Sequence, residues 1–229
     1  MYKNILKRFI DIALSFFGII FLAIPMLFIM LAIKLDSKGP VFFKQKRVGR
    51  NCEHFNILKF RTMRTDTPHD APTHELSDPK KWITRVGAFL RKTSLDELPQ
   101  IFNIFVGQMS IVGPRPALWN QYDLIEEREK YGANSVRPGL TGWAQINGRD
   151  ELEIPVKARL DGDYIEALNG GNIKAMKMDI KCFFGTFLSV LKSDGVVEGG
   201  TGEIEKQKAE AQKQESEIGS AASENKDGE

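Results

Sequence analysis

The longest apolar stretch of the chain runs from Ile12 to Ile33, 22 residues without a charged side chain. As a straight helix it would be about 33 Å long, enough to cross a hydrocarbon layer of about 30 Å. Pro25 predicts a break inside it, because proline removes a helical hydrogen bond and clashes with the preceding turn. Basic residues flank both ends, and positive flanks favour the cytoplasmic side. The pattern favours a re-entrant helix-break-helix; a kinked full span is the open alternative.

The polar and apolar positions that follow predict an α+β fold that is mainly helical. Two strands, Val41–Val48 and Glu53–Phe60, are joined by a Gly-Arg-Asn turn and should form a short β-hairpin. A polar, proline-containing loop over 64–79 separates this hairpin from the helical part of the chain. Helices are predicted from Pro79 to Arg91 and over Leu95–Val106, Leu118–Tyr131 and Glu153–Leu168.

The segment Ile173–Lys192 is strongly amphipathic, with apolar residues on one helical face and lysines away from it. Two interpretations stay open: a helix packed in the core, or an interfacial helix whose apolar face enters the membrane. Residues 199–229 are charged, polar and free of aromatic side chains, which predicts disorder. The predicted organisation is a membrane segment over 1–38, a catalytic domain over 39–198 and a charged tail over 199–229.

Charge is unevenly distributed along the chain. The net charge is +2 over 229 residues, but the tail holds four Lys and eight acidic residues, which leaves 28 basic and 22 acidic residues in 1–198. A basic body suits a phosphate-bearing ligand or an anionic membrane surface, and charge alone does not distinguish these from nucleic acid. Two distant cysteines and three histidines without metal-binding spacing predict neither a disulfide framework nor a His-based metal site.

Candidate chemistry centres on the adjacent acidic residues Asp96 and Glu97, in the string Thr-Ser-Leu-Asp-Glu-Leu-Pro-Gln. Ser94 and Glu97 match a helix capping box, so a purely structural role is the first alternative. Pro99 argues against a helix that begins at Ser94, because it would fall where a backbone amide is needed. We therefore expect the carboxylates at the helix entrance, pointing in different directions and able to do separate work.

Several cations stand in short motifs around this acidic pair. Arg115 lies between two prolines that stiffen the backbone, which is needed only if the position of the guanidinium matters. Arg137 precedes a Pro-Gly turn, and Lys59 and Arg61 lie on either side of Phe60 at a predicted strand end. A charge-assisted bond from a preordered Arg to phosphate contributes about 1.5–3 kcal/mol, more than a surface ion pair. Ordinary turn or surface roles are the alternatives for each motif.

Four strings together resemble the bacterial sugar transferases, the small monotopic polyprenyl-phosphate phosphoglycosyl transferases. They are, in chain order, Lys-Phe-Arg-Thr-Met over 59–63, the Asp-Glu string over 93–100, Met-Ser-Ile-Val-Gly-Pro-Arg-Pro over 109–116 and Arg-Pro-Gly-Leu-Thr-Gly-Trp-Ala-Gln-Ile-Asn-Gly over 137–148. The resemblance covers residues 1–195. Members of the family commonly carry Ser-Pro at the re-entrant break, where this chain has Ile24-Pro25, and the acidic tail is not part of the family pattern.

The resemblance implies a two-step reaction at the cytoplasmic face of a bacterial inner membrane. Asp96 attacks the sugar-proximal phosphate of a UDP-sugar and UMP leaves; polyprenyl phosphate then takes the phospho-sugar. Mg²⁺ held by Asp96 and Glu97 is the expected cofactor. The phosphate-binding residues are expected to be Lys59, Arg61, Arg91, Arg115 and Arg137.

The expected partners are the UDP-sugar, polyprenyl phosphate and membrane lipid, with no nucleic acid, and the sequence predicts no particular oligomeric state. Two other functions remain open. One is a glycosyltransferase that releases UDP, and the other is a non-catalytic membrane scaffold of a glycan pathway.

Overall fold

The computed structural model describes residues 1–67, 79–148 and 152–192. One unit comprises Met1–His69 and Trp82–Val196; the other comprises Asp70–Lys81 and Val197–Glu229, of which only residues 79–81 are described. The predicted disordered tail over 199–229 and most of the predicted loop over 64–79 lie outside the described residues. The described residues of the second unit belong to one short helix, and the sites lie in the first unit.

The described elements confirm a mainly helical fold that contains a small β-hairpin. Short turns of π- or 3₁₀-helix cover Tyr2–Leu6, Arg50–Cys52, Leu95–Glu97 and Ala133–Ser135. The strands are β1 (Phe42–Val48), β2 (His54–Phe60), β3 (Ser110–Val112) and β4 (Gly139–Thr141). The helices are α1 (Lys7–Asp36), α2 (Pro79–Trp82), α3 (Arg85–Lys92), α4 (Gln100–Val106), α5 (Tyr122–Glu129), α6 (Trp143–Ile146), α7 (Ile154–Asn169) and α8 (Asn172–Lys192).

Helix α1 is long and apolar enough to cross a membrane, and only 11% of its most apolar window is buried. Its 30 residues remain helical through Pro25, so the predicted re-entrant break is not confirmed. The outward side exposes large apolar residues along the whole helix, among them Phe9, Phe21 and Leu35. An apolar surface of this size on one helix suggests membrane association.

The opposite side of α1 packs on the rest of this unit from one end to the other. Near its start, Asp11 accepts hydrogen bonds from the Ser110 hydroxyl at 2.8 Å and the Ile111 amide at 3.0 Å. Met26 and Ile33 lie in a core shared with the hairpin and α3. At its end, Asp36 accepts from the Val86 amide at 3.0 Å. Both ends of the helix are therefore tied to the same unit.

The β-hairpin forms close to its predicted bounds. Strands β1 and β2 pair antiparallel, with Phe42 opposite Phe60 and Val48 opposite His54. The side chain of Phe60 is fully buried and stacks on Phe42, which lines the core against α1. The alternation of apolar residues along β2 therefore indicates which side of the hairpin faces the core.

A second, parallel pair of strands was not predicted. Ser110 lies opposite Gly139 and Val112 opposite Thr141. A Cβ atom on Gly139 would lie 2.1 Å from the backbone nitrogen of Gly113, so only glycine permits this approach. The glycines of the Pro-Gly-Leu-Thr-Gly string thus let one backbone pack on another.

Helix bounds differ from the predictions mainly at the starts. Helix α4 begins at Gln100, not near Leu95, and ends as predicted at Gly107 in the left-handed conformation. The predicted helix over 118–131 is confined to Tyr122–Glu129. The predicted helix over 79–91 is two helices, α2 and α3, because Ile83 bridges to Met63 and Thr84 caps α3.

Helix α8 buries one side and exposes the side that the sequence marks as apolar. Ala175, Asp179 and Cys182 are buried. The exposed apolar residues are Ile173, Met176, Ile180, Phe183, Phe184 and Leu188. No other part of the described chain covers this apolar face, which favours the interfacial interpretation over the core-packed one.

Candidate active site

The acidic pair lies on a 3₁₀ turn that ends before α4 starts. Ser94 adopts a left-handed conformation with φ of 56°, and its side chain makes no capping hydrogen bond, so the capping-box interpretation is wrong. A non-glycine residue in this region is uncommon and strained, and it turns the chain sharply after α3. Asp96 and Glu97 therefore stand on a short turn between two helices.

Apolar residues on either side fix this turn in place. Leu95 and Leu98 pack into the core formed by α1, the hairpin and α3. Pro99 is among the most deeply buried side chains of the described chain. The two carboxylates are thus held between anchored neighbours, and their backbone positions are fixed by packing rather than by a cap.

Glu97 is held by two cations through one of its oxygens. The Lys59 amine donates to Oε1 at 2.8 Å, and Arg115 Nη2 donates to the same atom at 2.9 Å. The Glu97 side chain is only 12% exposed, so both bonds form in a partly desolvated environment where they are strong. They join the end of β2, the 3₁₀ turn and the Pro-Arg-Pro loop.

Asp96 has a different environment. Its nearest cation is Lys59, with 3.8 Å between Nζ and Oδ2, and no described residue donates a hydrogen bond to it. Burial raises the pKa of Asp96, opposed first by Lys59 and more weakly by Arg91 and Arg115, while Glu97 raises it further. Asp96 therefore lies near three cationic side chains, Lys59, Arg91 and Arg115, but accepts no hydrogen bond from them.

Arg115 owes its position to a buried ion pair outside the motif. Arg128 on α5 is paired with Asp161 on α7, 2.6 Å from Nη2 to Oδ2, and both side chains are almost fully buried. Arg128 also donates from Nη1 to the carbonyl of Arg115 at 2.9 Å. Neither residue carries a local sequence signal, because α5 and α7 both contain many other charged residues. Sequence analysis missed both.

The other predicted cations are only partly brought together. Arg91 donates to the Thr62 hydroxyl at 3.0 Å and its charge acts on Asp96. Arg61 lies elsewhere: it is 5% exposed and donates to the Ser37 and Lys38 carbonyls at the end of α1. Arg137 donates to the Gly107 carbonyl at 2.8 Å and lines a separate cavity. The structure places Lys59, Arg91 and Arg115, but not Arg61 or Arg137, beside the acidic pair.

The acidic pair could share a metal with a phosphate ligand. In residues 1–67, 79–148 and 152–192, no group of three or more His, Cys, Asp or Glu side chains could hold a metal ion alone. Mg²⁺ in phosphoryl-transfer sites commonly takes only one or two protein carboxylates, with substrate oxygens and water completing its shell. Asp96, which accepts no hydrogen bond from the described residues, fits that requirement.

An apolar cavity of about 480 Å³ opens beside Glu97. Its walls include residues of α1, α4, α6, α8, β3 and β4, with Leu14, Leu22, Ile101 and Phe183 among the lining residues. Among the described residues that line it, Glu97 alone is charged. The helix with the exposed apolar side, the apolar cavity and Glu97 are therefore contiguous.

Comparison with known proteins places the chain in a family. The sequence model of the bacterial sugar transferases matches residues 2–193. An exopolysaccharide production protein of Rhizobium leguminosarum bv. phaseoli is 43% identical over 199 residues, covering 82% of this chain and 96% of that protein. The chain belongs to the bacterial sugar transferases and is an enzyme of that class, so the predicted resemblance is confirmed.

Two further relatives have names that state a reaction. An undecaprenyl-phosphate glucose phosphotransferase of Komagataeibacter xylinus is 42% identical over 188 residues, which cover 78% of this chain. A UDP-glucose:undecaprenyl-phosphate glucose-1-phosphate transferase of Escherichia coli is 42% identical over 172 residues, which cover 71% of this chain. The chain spans only 34% and 36% of the length of these two relatives.

The environment of Asp96 leads to a pH prediction. A carboxylate nucleophile reacts in its deprotonated form, so a nucleophilic role for Asp96 predicts that activity falls as the pH drops through the pKa of Asp96. Lys59 is the largest influence that lowers this pKa. Lys59→Gln should therefore raise it and move the acidic limb of the pH–rate profile to higher pH. Lys44→Gln, which changes an exposed lysine on β1, is the matched control. An acidic limb that stays in place or moves to lower pH in Lys59→Gln would contradict this electrostatic account.

Proposed function

We propose that this enzyme transfers a sugar 1-phosphate from a UDP-sugar to polyprenyl phosphate, releases UMP and passes through a phospho-sugar bound covalently to Asp96. The product is a polyprenyl-diphosphate sugar, the first membrane-bound precursor of a surface polysaccharide or glycoconjugate. The names of the Komagataeibacter and Escherichia relatives support the overall reaction. The difference between Asp96 and Glu97 supports the assignment of the nucleophile.

The observation that carries this assignment is the unequal bonding of the two carboxylates. Glu97 already accepts from Lys59 and Arg115, so using it as a nucleophile would break two charge-assisted bonds. Asp96 accepts no hydrogen bond from the described residues and keeps Lys59 at 3.8 Å. Asp96 can therefore approach a phosphorus atom, and Glu97 keeps the cations in position.

In the first step an oxygen of Asp96 forms a bond to the sugar-proximal phosphorus of the UDP-sugar. The bond from that phosphorus to the bridging oxygen breaks, and UMP leaves with the electron pair. In the second step an oxygen of polyprenyl phosphate attacks the same phosphorus. The bond to Asp96 then breaks and the carboxylate is regenerated.

Negative charge on both reactants is the main obstacle to the first step. Lys59, Arg91 and Arg115 bring three positive charges toward Asp96 in a partly desolvated site, where electrostatic effects are larger than in water. Asp96 and Glu97 would hold Mg²⁺, which would neutralise charge on the diphosphate. The three cations act with or without this assistance, because they belong to the folded chain.

The apolar cavity beside Glu97 supports a lipid acceptor. Its walls include α1 and α8, the two helices with exposed apolar faces. A polyprenyl chain that left the membrane along α1 would meet apolar side chains up to the acidic pair. The acceptor phosphate would then reach Asp96 without the lipid tail crossing a polar surface.

The packing of α1 supports a location at one membrane face. Asp11, near the start of α1, and Asp36, at its end, are bonded to the same unit. A helix that crossed the bilayer would carry one of these ends away from that unit. We infer that both ends of α1 lie on the cytoplasmic side, where UDP-sugars are available, and that the helix enters only one leaflet.

Nucleotide analysis tests the proposed reaction. The enzyme given a panel of UDP-sugars and polyprenyl phosphate should release UMP, and Asp96→Asn should lower that rate on the order of 10³-fold or more, because the nucleophile is lost. Asp163→Asn, which changes an exposed carboxylate on α7, should retain full activity.

Two results would favour the other functions. Release of UDP instead of UMP would indicate direct glycosyl transfer. Unchanged support of the host pathway by Asp96→Asn would indicate a scaffold. Either result would contradict the proposed reaction.

Cysteine labelling tests the topology of α1. In a Cys52→Ser background, which removes the exposed native thiol and leaves the buried Cys182, Lys3→Cys and Lys38→Cys place one accessible thiol before or after α1. A membrane-impermeant maleimide should label both positions in inside-out vesicles and neither in spheroplasts. Labelling of one position from the periplasmic side would show that α1 spans the membrane.

A further inference from the structure

A second cavity, of about 180 Å³, lies beside the start of α1, at the opposite end of this helix from Asp36. We call it the basic cavity. Besides the buried Tyr164, the ionisable side chains that line it are Lys3, Lys7, Arg8, Asp11, Arg50 and Arg137. These residues come from the start of the chain, the hairpin turn and the loop before β4. None of them belongs to the group that surrounds Asp96.

Positive charge in the basic cavity is not balanced by the carboxylates around it. Asp11 is bonded to the Ser110 hydroxyl and the Ile111 amide. Asp179 pairs with Lys7 at 2.7 Å. Five cations thus share two carboxylates, so three positive charges are uncompensated within the described residues.

The remaining cations are bonded to neutral acceptors. Lys3 donates to the amide oxygen of Asn169, and Arg50 donates from Nε to the Ser135 carbonyl. Arg8 donates to the Ile104 and Phe105 carbonyls and Arg137 from Nε to the Gly107 carbonyl, all at the end of α4. The negative end of this helix offsets roughly half a charge, which is less than the excess.

The arginines are close enough to repel one another. Burial lowers the pKa of Arg137, and the charges of Arg8 and Arg50 lower it further. Only Nε of Arg50 and of Arg137 donates a bond to the described chain, so the paired terminal nitrogens of both guanidinium groups remain for a ligand. Two guanidinium forks beside a lysine suit a tetrahedral oxyanion.

The surroundings of the basic cavity are apolar on the membrane side. Leu6 and Phe9 are exposed beside Arg8 in sequence, and Phe105 and Val106 are exposed at the end of α4, where Arg8 is bonded. Cations just beyond an apolar surface meet the phosphates of a bilayer when that surface enters the acyl region. A free phosphate ion offers the same chemistry.

We propose that the basic cavity binds a phosphate group, carried by a membrane lipid or free in solution, at a site separate from the Asp96 group. Such a ligand would supply the missing negative charge and hold the start of α1 at headgroup level. The proposal concerns binding only, so its outcome is independent of the proposed transfer reaction.

Titration calorimetry on the full chain in an uncharged detergent tests this site. The probes are dihexanoyl phosphatidylglycerol, inorganic phosphate and, as the ligand without phosphate, dihexanoyl glycerol. The wild-type chain should bind phosphatidylglycerol but not dihexanoyl glycerol. Arg50→Gln should weaken the binding at least about tenfold, because one charge-assisted contact is lost. Arg85→Gln, an exposed arginine on α3 that does not line the cavity, should bind like wild type.

The two sources of phosphate are separated by the second probe. Tighter binding of phosphatidylglycerol than of inorganic phosphate assigns the site to lipid, and equal binding of the two assigns it to free phosphate. In either case, loss of this binding in Arg50→Gln supports the proposal. Lys3→Gln is the second variant if Arg50→Gln does not fold. Absence of binding to both probes, unchanged binding in the variant, or binding that is lost in Lys59→Gln instead would overturn it.

Discussion

The two hydrogen bonds that Lys59 and Arg115 donate to one oxygen of Glu97 are the interaction on which the site depends. They join three segments that lie far apart in sequence: the end of β2, the 3₁₀ turn and the Pro-Arg-Pro loop. Because Glu97 holds both cations, their charges reach Asp96 without a direct bond to it. The pattern of residues gives no preference between adjacent carboxylates; the family resemblance favours Asp96, and this asymmetry supports the same choice.

The packing of α1 connects this site to an apolar surface that suggests membrane association. The helix presents an apolar side outward, while its other side lines the core and the apolar cavity that reaches Glu97. The proposed reaction joins a water-soluble nucleotide sugar to a membrane-embedded acceptor, and the two can meet only where both environments adjoin. The described fold provides one such place, between α1, α4 and α8, and the exposed apolar face of α8 lies on the same helix as Phe183 of the cavity wall.

Much of this arrangement could be predicted from local patterns. Alternating apolar residues defined the hairpin, and the 3.6-residue period defined α7 and α8 to within one residue. The acidic pair and its partners Lys59 and Arg115 were found because prolines and strand ends mark positions where a side chain is fixed. The acidic pair was predicted at the entrance of a helix over Leu95–Val106, whereas α4 starts only at Gln100 and the pair lies on the 3₁₀ turn before it.

The remaining features depend on contacts that no local pattern records. Strands β3 and β4 are three residues each, so their pairing gives no periodic signal. The sequence does not distinguish the roles of three arginines. Arg61 is bonded to the end of α1, Arg115 is bonded to Glu97, and Arg137 lines the basic cavity. The direction of a long guanidinium side chain is set by the surrounding fold. Arg128 and Asp161 illustrate the same limit, because their pairing across α5 and α7 appears only in three dimensions.

The central claim is that Asp96, rather than Glu97, carries the phosphorylated sugar during the reaction. Incubation with the accepted UDP-sugar in the absence of polyprenyl phosphate, followed by rapid acid quenching, digestion and mass spectrometry, tests it directly. The account predicts that the mass of the sugar phosphate is added to the peptide containing the acidic pair, that fragmentation places it on Asp96, and that addition of polyprenyl phosphate removes it. A sugar phosphate on Glu97 or on any other residue would contradict the account.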